Sequence, residues 1–425
     1  MKKLLSVTFF TGLLTLSRMM SGFLISKIIA VYTGTTGMAQ LGQAQNLITM
    51  LTGIVNAPTS NAVVRYTSEY CDKGYAACAP WWRASVQWAL ILCLSIIPTG
   101  LVLSKFISIW LFETASYRWL VCLMFLVLPL SVLSTLINSI INGQQQYKKY
   151  ILLGVISVSI STVVMILLVV FWGINGALIA ASIQSGLIGL ILLIACIQQP
   201  WMKLIYWWGE VTHENRIKVG GYILMAVTSA ISLPLALIVV RKIIISNVGW
   251  DAAGQWQAVW KISEVYLSVM TMALGIYFLP QLAKLKSYSD IRIEINNTAK
   301  IIVPLVILMA LSVYIFRDLI ITILFTEKFR PARELFGVQL IGDVIKITSW
   351  LYAYPMISRG TTKWFVASEV FFSLSLIIMT ATLVPMYKTD GANLAYMFNY
   401  IIYLIFVYFC MKYIVRDEKE SHESS

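Results

Sequence analysis

Ionisable chemistry is sparse in this sequence. Of 425 residues only 12% are charged, and the two histidines are His213 and His422. No G-x-x-x-x-G-K-[ST] phosphate loop, H-E-x-x-H metal motif or nucleophile elbow occurs. ATP hydrolysis by the chain itself is not expected, so any work it performs draws on an ion gradient, a partner or removal of product. Neither a cofactor nor a metal is expected. Of the six cysteines, Cys93, Cys122, Cys196 and Cys410 fall in apolar runs. Cys71 and Cys78 share one short stretch, lack the companions of a zinc site and are expected in a reducing compartment, where a disulfide is opposed. Acids are absent from the apolar runs of the first half, which hold Arg18 and Lys27.

Apolar residues are abundant instead: 59% of the chain, with a mean hydropathy of +0.80. A helix needs roughly 20 apolar residues to cross a bilayer core. About twelve such runs are expected, at roughly residues 7–31, 38–63, 84–104, 119–141, 150–172, 175–197, 221–245, 254–280, 301–322, 335–357, 364–386 and 391–414. The opening residues resemble a signal peptide in carrying Lys2 and Lys3 before an apolar run. No A-x-A pattern follows and the run continues past Arg18, so a retained first span is expected.

Cytoplasmic segments collect Lys and Arg. With both termini inside, nineteen basic residues fall in inner segments and eight in outer ones, Arg241 and Lys242 among the latter. The net charge of +13 is therefore mainly a topology signal, and nucleic acid is not implied. The fold class expected is an all-α polytopic membrane protein.

The tetrapeptide Gly42-Gln43-Ala44-Gln45 returns as Gly254-Gln255-Trp256-Gln257, an offset of 212. Three further pairs follow in order: Lys27-Ile28-Ile29 with Lys242-Ile243-Ile244, Leu111-Phe112 with Leu324-Phe325, and Gly176-Ala177 with Gly391-Ala392. The sequence therefore contains a duplication. Six spans per half is an even number, so the halves have parallel topology and are expected as two six-helix lobes about a pseudo-two-fold axis along the membrane normal. The domains expected are an N-terminal lobe (1–197), a cytoplasmic interfacial linker (198–220), a C-terminal lobe (221–415) and a charged cytoplasmic tail (416–425). Trp201, Tyr206, Trp207 and Trp208 among Lys203, Glu210 and Lys218 fit an interfacial amphipathic segment or an ordinary loop with aromatic anchors.

Helical spacing gives the repeat a meaning. Gln257, Lys261, Glu264, Ser268 and Thr271 share one face, and subtracting 212 gives Gln45, Thr49, Thr52, Asn56 and Thr59. Leu51 and Leu267, off these stripes, are expected toward lipid. Similar stripes are Thr8, Thr11, Thr15, Arg18 and Gly22 on the first span, Ser131, Thr135, Asn138 and Asn142 on the fourth, and Gln339, Asp343 and Lys346 on the tenth. For Ser and Thr, helix packing is as good an explanation as a wet face. Charged side chains facing lipid cost several kcal/mol, so Arg18, Lys261, Glu264, Asp343, Lys346 and Glu369 are expected to line a cavity or pair. Prolines at 58, 98, 129, 234, 280, 304 and 355 offer bending points.

The stretch W-D-A-A-G-Q-W-Q-A-V-W-K-I-S-E-V-Y-L (250–267), Tyr277-Phe278-Leu279-Pro280 and Ile341-Gly342-Asp343-Val344-Ile345-Lys346 resemble the Wzx flippases of Gram-negative bacteria, in the multidrug/oligosaccharidyl-lipid/polysaccharide exporter superfamily. The resemblance implies two six-helix lobes around a cationic cavity in the inner membrane, with undecaprenyl-diphosphate-linked oligosaccharide as cargo. Membrane lipids, a glycan polymerase and a chain-length regulator would be its partners. For such a cargo, Arg18, Lys27, Lys261 and Lys346 are expected on diphosphate or acidic sugars, and Gln45, Asn56 and Gln257 on sugar hydroxyls. Glu264, Asp343 and Glu369 would pair charge or couple an ion. The N-terminal half matches the lipid III flippases less well, which favours an O-antigen repeat unit over the enterobacterial common antigen lipid III. A drug/cation antiporter of the same superfamily should show an acid-dominated site, against which the basic first half argues. A polymerase or ligase would require a substantial outer loop bearing catalytic groups, and the outer loops are short.

Overall fold

A computed structural model describes the backbone of residues 2–285 and 287–423, without side chains at 2–11, 13, 222, 276 and 414–423. Thr8 and Thr11 of the first stripe, Lys286 and the side chains of the tail 416–425 lie outside the described residues. Among the described residues every regular element is helical. In chain order the α-helices are α1 Lys2–Asn56, α2 Asn61–Tyr70, α3 Tyr75–Phe112, α4 Arg118–Leu126, α5 Leu128–Gly143, α6 Tyr147–Cys196, α7 Leu204–Trp207 and α8 His213–Val248. There follow α9 Trp250–Ala273, α10 Leu279–Lys284, α11 Tyr288–Ile315, α12 Arg317–Leu324, α13 Phe336–Ser358, α14 Thr362–Tyr387 and α15 Thr389–Glu423.

Among the described residues, eight helical runs are long and apolar enough to cross a membrane. Two of them hold two spans each: α1 breaks at Gly34 (φ 68°, ψ −161°) and α6 at Gly173 (φ 55°, ψ −129°). Helices α9 and α13, of 24 and 23 residues, are long enough to span but too polar to stand out by hydropathy alone. The protein is thus a polytopic helical membrane protein, consistent with the twelve spans read from the sequence.

Contacts divide the chain into two units, Met1–Thr33 with Gln40–Leu235, and Gly34–Ala39 with Ala236–Ser425. The first unit is built around Val63, Trp82, Leu136, Ile140, Leu192 and Trp201, contributed by α2, α3, α5, α6 and the linker. The second packs α13 against α11, α14 and α15, with Phe278, Ile291, Leu351 and Met411 in one core and Met356, Phe372, Tyr403 and Val407 in another.

The duplication is written in the backbone of each unit. In the first, a Cβ on Gly176 would lie 1.8 Å from the Leu168 carbonyl oxygen; in the second, one on Gly391 would lie 2.4 Å from that of Leu383, and both pairs are related by 215 residues. The helical break at Gly173 is matched, at the same offset, by Lys388 (φ 52°, ψ −135°). That region is open to glycine and costly for a side-chain-bearing residue.

The linker belongs to the first unit and is fastened to α3. Arg83 donates to the Ile205 carbonyl (2.5 Å), Gln87 Nε2 to that of Gly209 (3.2 Å) and Trp88 Nε1 to that of Arg216 (3.1 Å). Arg216 Nε returns a bond to Gln87 Oε1 (3.0 Å). Trp201 is buried and stacks on Trp207, while Leu204, Ile205 and Trp208 are exposed. The segment therefore combines a fixed backbone with an apolar outer face.

Relieving the backbone at position 388 should be measurable. Lys388→Gly is expected to stabilise the protein by about 1 kcal/mol, the relief exceeding the entropy cost of glycine. Gly173→Lys should destabilise by about 1–3 kcal/mol. Thermal unfolding in detergent checks both; an unchanged midpoint for Lys388→Gly would show that the lysine carries no strain.

Candidate functional site

The second unit gathers six of the ten residues singled out from the sequence. Its axis is α9, which carries the second copy of the tetrapeptide near its start. A Cβ on Gly254 would lie 2.0 Å from the Thr35 carbonyl oxygen, so glycine here allows two backbones to touch. Asp251, in the first turn of α9, accepts from Thr35 Oγ1 (2.5 Å) and Thr36 Oγ1 (3.0 Å), which fixes the same approach.

Gln257 is buried, and its Oε1 accepts a hydrogen bond from Arg241 Nη2. Arg241 is 1% exposed and its guanidinium lies 5.5 Å from the centre of the Trp256 ring. Trp256 Nε1 donates to Asn393 Oδ1 (3.0 Å), and Asn393 Nδ2 donates to the Leu335 carbonyl (2.9 Å). Arg241 is therefore not the outer-segment charge expected from the sequence. It sits inside α8, which continues to Val248, and a charge within the helix cannot report which side of the membrane its flanking loop occupies.

One helix turn further lies a buried carboxylate with a complete set of donors. Asp343 Oδ2 accepts from Ser263 Oγ and Tyr266 OH, each at 2.6 Å. Its Oδ1 accepts from Tyr396 OH (2.8 Å) and Gln339 Nε2 (3.2 Å). Three helices converge on it: α9, α13 and α15. Each bond to an ionised acceptor is worth about 1.5–3 kcal/mol, enough collectively to offset the several kcal/mol of burying the charge.

Lys346, one turn along α13 from Asp343, is buried inside a ring of aromatic side chains. Its Nζ lies 5.0 Å from the ring centre of Trp350, 5.3 Å from Tyr400, 5.5 Å from Tyr396 and 5.6 Å from Trp260. Four ring faces turned toward one ammonium form a cation–π cage, each contributing about 0.5–2 kcal/mol. Asp343, Glu264 and Glu369 are the carboxylates that act on it electrostatically. Asp343 makes no ion pair with Lys346 in this structure: hydroxyls and an amide satisfy the acid, and rings hold the base.

Lys261 and Glu264 form the more open part of the cluster. Their ion pair measures 3.1 Å, with side chains 27% and 46% exposed, and Glu264 Oε1 also accepts from Trp260 Nε1 (3.1 Å). Ser268 and Thr271 continue the stripe, and their hydroxyls bond to the carbonyls of Val265 and Ser268 on their own helix. Beyond Ala273 the helix passes through a π-helical turn, Leu274–Phe278, before Pro280, which has no N–H to donate.

In the first unit the candidates stand at separate levels of α1. Arg18 is exposed, Lys27 and Gln45 are half-buried, and Asn56 donates to Ser131 Oγ (3.0 Å), joining the stripes of the second and fourth spans. Thr52 and Thr59 bond to the carbonyls of Ile48 and Asn56 on the same chain segment, as packing hydroxyls do. Leu51 and Leu267 are buried, not lipid-facing: both helices are enclosed on the faces that carry them.

Sequence reading missed Arg241 and the whole aromatic cage. The signal was present as aromatic or cationic pairs four residues apart: Trp256 and Trp260, Lys346 and Trp350, Tyr396 and Tyr400. On a helix such pairs share a face.

No family model matches the chain. It is 28% identical over 94% of its length to the lipid III flippase of Escherichia coli (strain K12), covering 96% of that protein, and equally similar to the lipid III flippase of Shigella flexneri. Among solved structures it resembles an inward-facing multidrug resistance MATE family transporter of the MOP superfamily, with a TM-score of 0.78 at 12% identity over 95% of this chain and 96% of that one. It also resembles the lipid II flippase MurJ in its inward closed conformation, with a TM-score of 0.72 at 14% identity over 96% and 87% of the two chains. The resemblance read from the motifs thus holds along almost the whole sequence, and the fold is that of these transporters.

The two buried charges should respond differently to removal. Asp343→Leu strands four donors and is expected to destabilise by about 3–5 kcal/mol. Lys346→Met keeps the apolar stem within the rings and should change stability by less than about 1.5 kcal/mol. Thermal unfolding of the two variants in detergent separates them; equal losses would show that acid and base stand as one ion pair.

Proposed function

We propose that the chain is a flippase that moves an undecaprenyl-diphosphate-linked oligosaccharide from the cytoplasmic to the outer leaflet of the bacterial inner membrane. The observation that carries this reading is the end-to-end similarity to lipid III flippases, 28% identity over 94% of the chain. The geometry agrees with it, since fixed cations are built into membrane-spanning helices. Lys261, in the second unit, keeps partial exposure, and Arg18 is exposed in the first.

In this reading Lys261 and Arg18 meet the diphosphate or acidic sugars directly. Glu264 neutralises Lys261 between cargoes, because an exposed pair one turn apart opens at little cost. Gln45, Asn56 and Thr49 line the sugar path. Gln257 and Lys346 act at one remove: Gln257 holds Arg241, and Lys346 holds its aromatic ring of partners. Glu369 and Asp343 balance the buried positive charge. The Lys and Arg distribution supports cytoplasmic termini, and removing Arg241 from the outer segments strengthens that asymmetry.

Of the two cargoes weighed from the sequence, the similarity to lipid III flippases favours the enterobacterial common antigen lipid III over an O-antigen repeat unit. A glycan polymerase and its chain-length regulator would then act on the product outside the membrane.

Expression in one strain lacking its lipid III flippase and in another lacking an O-antigen flippase tests both levels of the proposal. Surface glycan should return in the first strain, and Lys261→Ala at equal protein level should lower it at least about tenfold, the loss of one charge-assisted contact. Rescue of the second strain alone would overturn the cargo, and rescue of neither would overturn the flippase reading.

A further inference from the structure

On the outside of the second unit an open apolar groove of about 480 Å³ runs between α11 and α13. Ile307, Leu311 and Tyr314 form one wall, and Leu340, Ile341 and Val344 the other. At the end nearest Tyr314 stands Arg317, whose guanidinium lies 4.1 Å from the Tyr314 ring centre and donates to the Tyr314 carbonyl at 2.7 Å. The neighbouring arginines are paired with acids: Arg330 with Glu327, and Arg333 with Asp318 and Glu334. Among the described residues Arg317 has no carboxylate partner.

The groove floor is open at Gly337. A Cβ there would meet only the Tyr314 ring edge, at 3.9 Å, so a larger side chain at this position would occupy the trough rather than clash with its walls.

We infer that this groove, capped by Arg317, is a binding site for the isoprenoid diphosphate lipid in the outer leaflet, with the prenyl chain between α11 and α13 and the diphosphate on the guanidinium. Naming this lipid rests on the flippase reading. An apolar trough ending in an unpaired cation complements an anionic amphiphile. The span from Ile307 to Arg317, ten residues at 1.5 Å, is about 15 Å, half of a hydrocarbon core of about 30 Å. With the termini inside, Arg317 sits at the outer end, so the site matches a lipid whose headgroup has already crossed. The function of the site is to hold the product lipid beside the protein as it departs.

Native mass spectrometry of the full chain in detergent, with undecaprenyl diphosphate, phosphatidylglycerol and inorganic pyrophosphate as separate probes, tests this. Undecaprenyl diphosphate should bind, and Gly337→Phe, which fills the groove floor, and Arg317→Gln should each weaken it about tenfold. Arg317→Lys should recover part of the loss, and pyrophosphate alone should bind negligibly. The inference is overturned if undecaprenyl diphosphate does not bind, if either variant binds as well as the original, or if phosphatidylglycerol binds equally well with the same dependence on both residues. Glycan rescue keeps the two readings apart. Rescue with binding indifferent to both residues removes the site and leaves the flippase reading, whereas residue-dependent binding without rescue does the reverse.

Discussion

A carboxylate packed among apolar helices is stable only if donors reach it from every side, and Asp343 places that requirement on three helices at once. Ser263 and Tyr266 fix the rotation of α9, Gln339 that of α13 and Tyr396 that of α15. The aromatic ring around Lys346 draws on the same helices and shares Tyr396 with the acid. Both charges are therefore met without either neutralising the other. The polar character of α9 and α13, which makes them poor membrane helices by hydropathy, is the cost of this arrangement.

The two halves retain a common backbone while their side chains have separated. Gly176 and Gly391 make the same close approach to a carbonyl, and the breaks at Gly173 and Lys388 share nearly the same dihedral angles. Against that shared frame, the first half has cations and hydroxyl stripes along α1. The second has a buried acid, a caged base and a buried arginine. Duplication within one chain permits this, because each copy can change without a matching change in the other.

The helical class was legible in hydropathy and the duplication in four ordered motif pairs, whereas α9 and α13 are too polar for hydropathy alone to mark them as spans. Spans one and two were separable at the polar stretch Tyr32-Thr33-Gly34-Thr35-Thr36-Gly37, which α1 crosses with a break at Gly34. The candidate charges were legible because a Lys or Glu inside an apolar run is costly. Their partners were not: Tyr266, Tyr396 and Tyr400 have the composition of any membrane helix, and only three-dimensional packing turns them toward Asp343 and Lys346. Arg241 was misplaced for a related reason. It lies near the end of an apolar run, where sequence alone cannot separate a buried guanidinium from one at the surface. Leu51 and Leu267 failed differently, since assigning them to lipid assumed that a polar face has an apolar opposite exposed to the bilayer.

The fastening of the linker to α3 distributes mutational tolerance unevenly. The groups that Arg83, Gln87 and Trp88 grasp are main-chain carbonyls of Ile205, Gly209 and Arg216, and a carbonyl is present whatever the side chain. Drift along most of residues 203–215 can therefore alter the charge and stickiness of the linker's outer face without loosening the attachment. The three donors on α3 have no such freedom, so evolutionary constraint on the linker is lodged largely outside it.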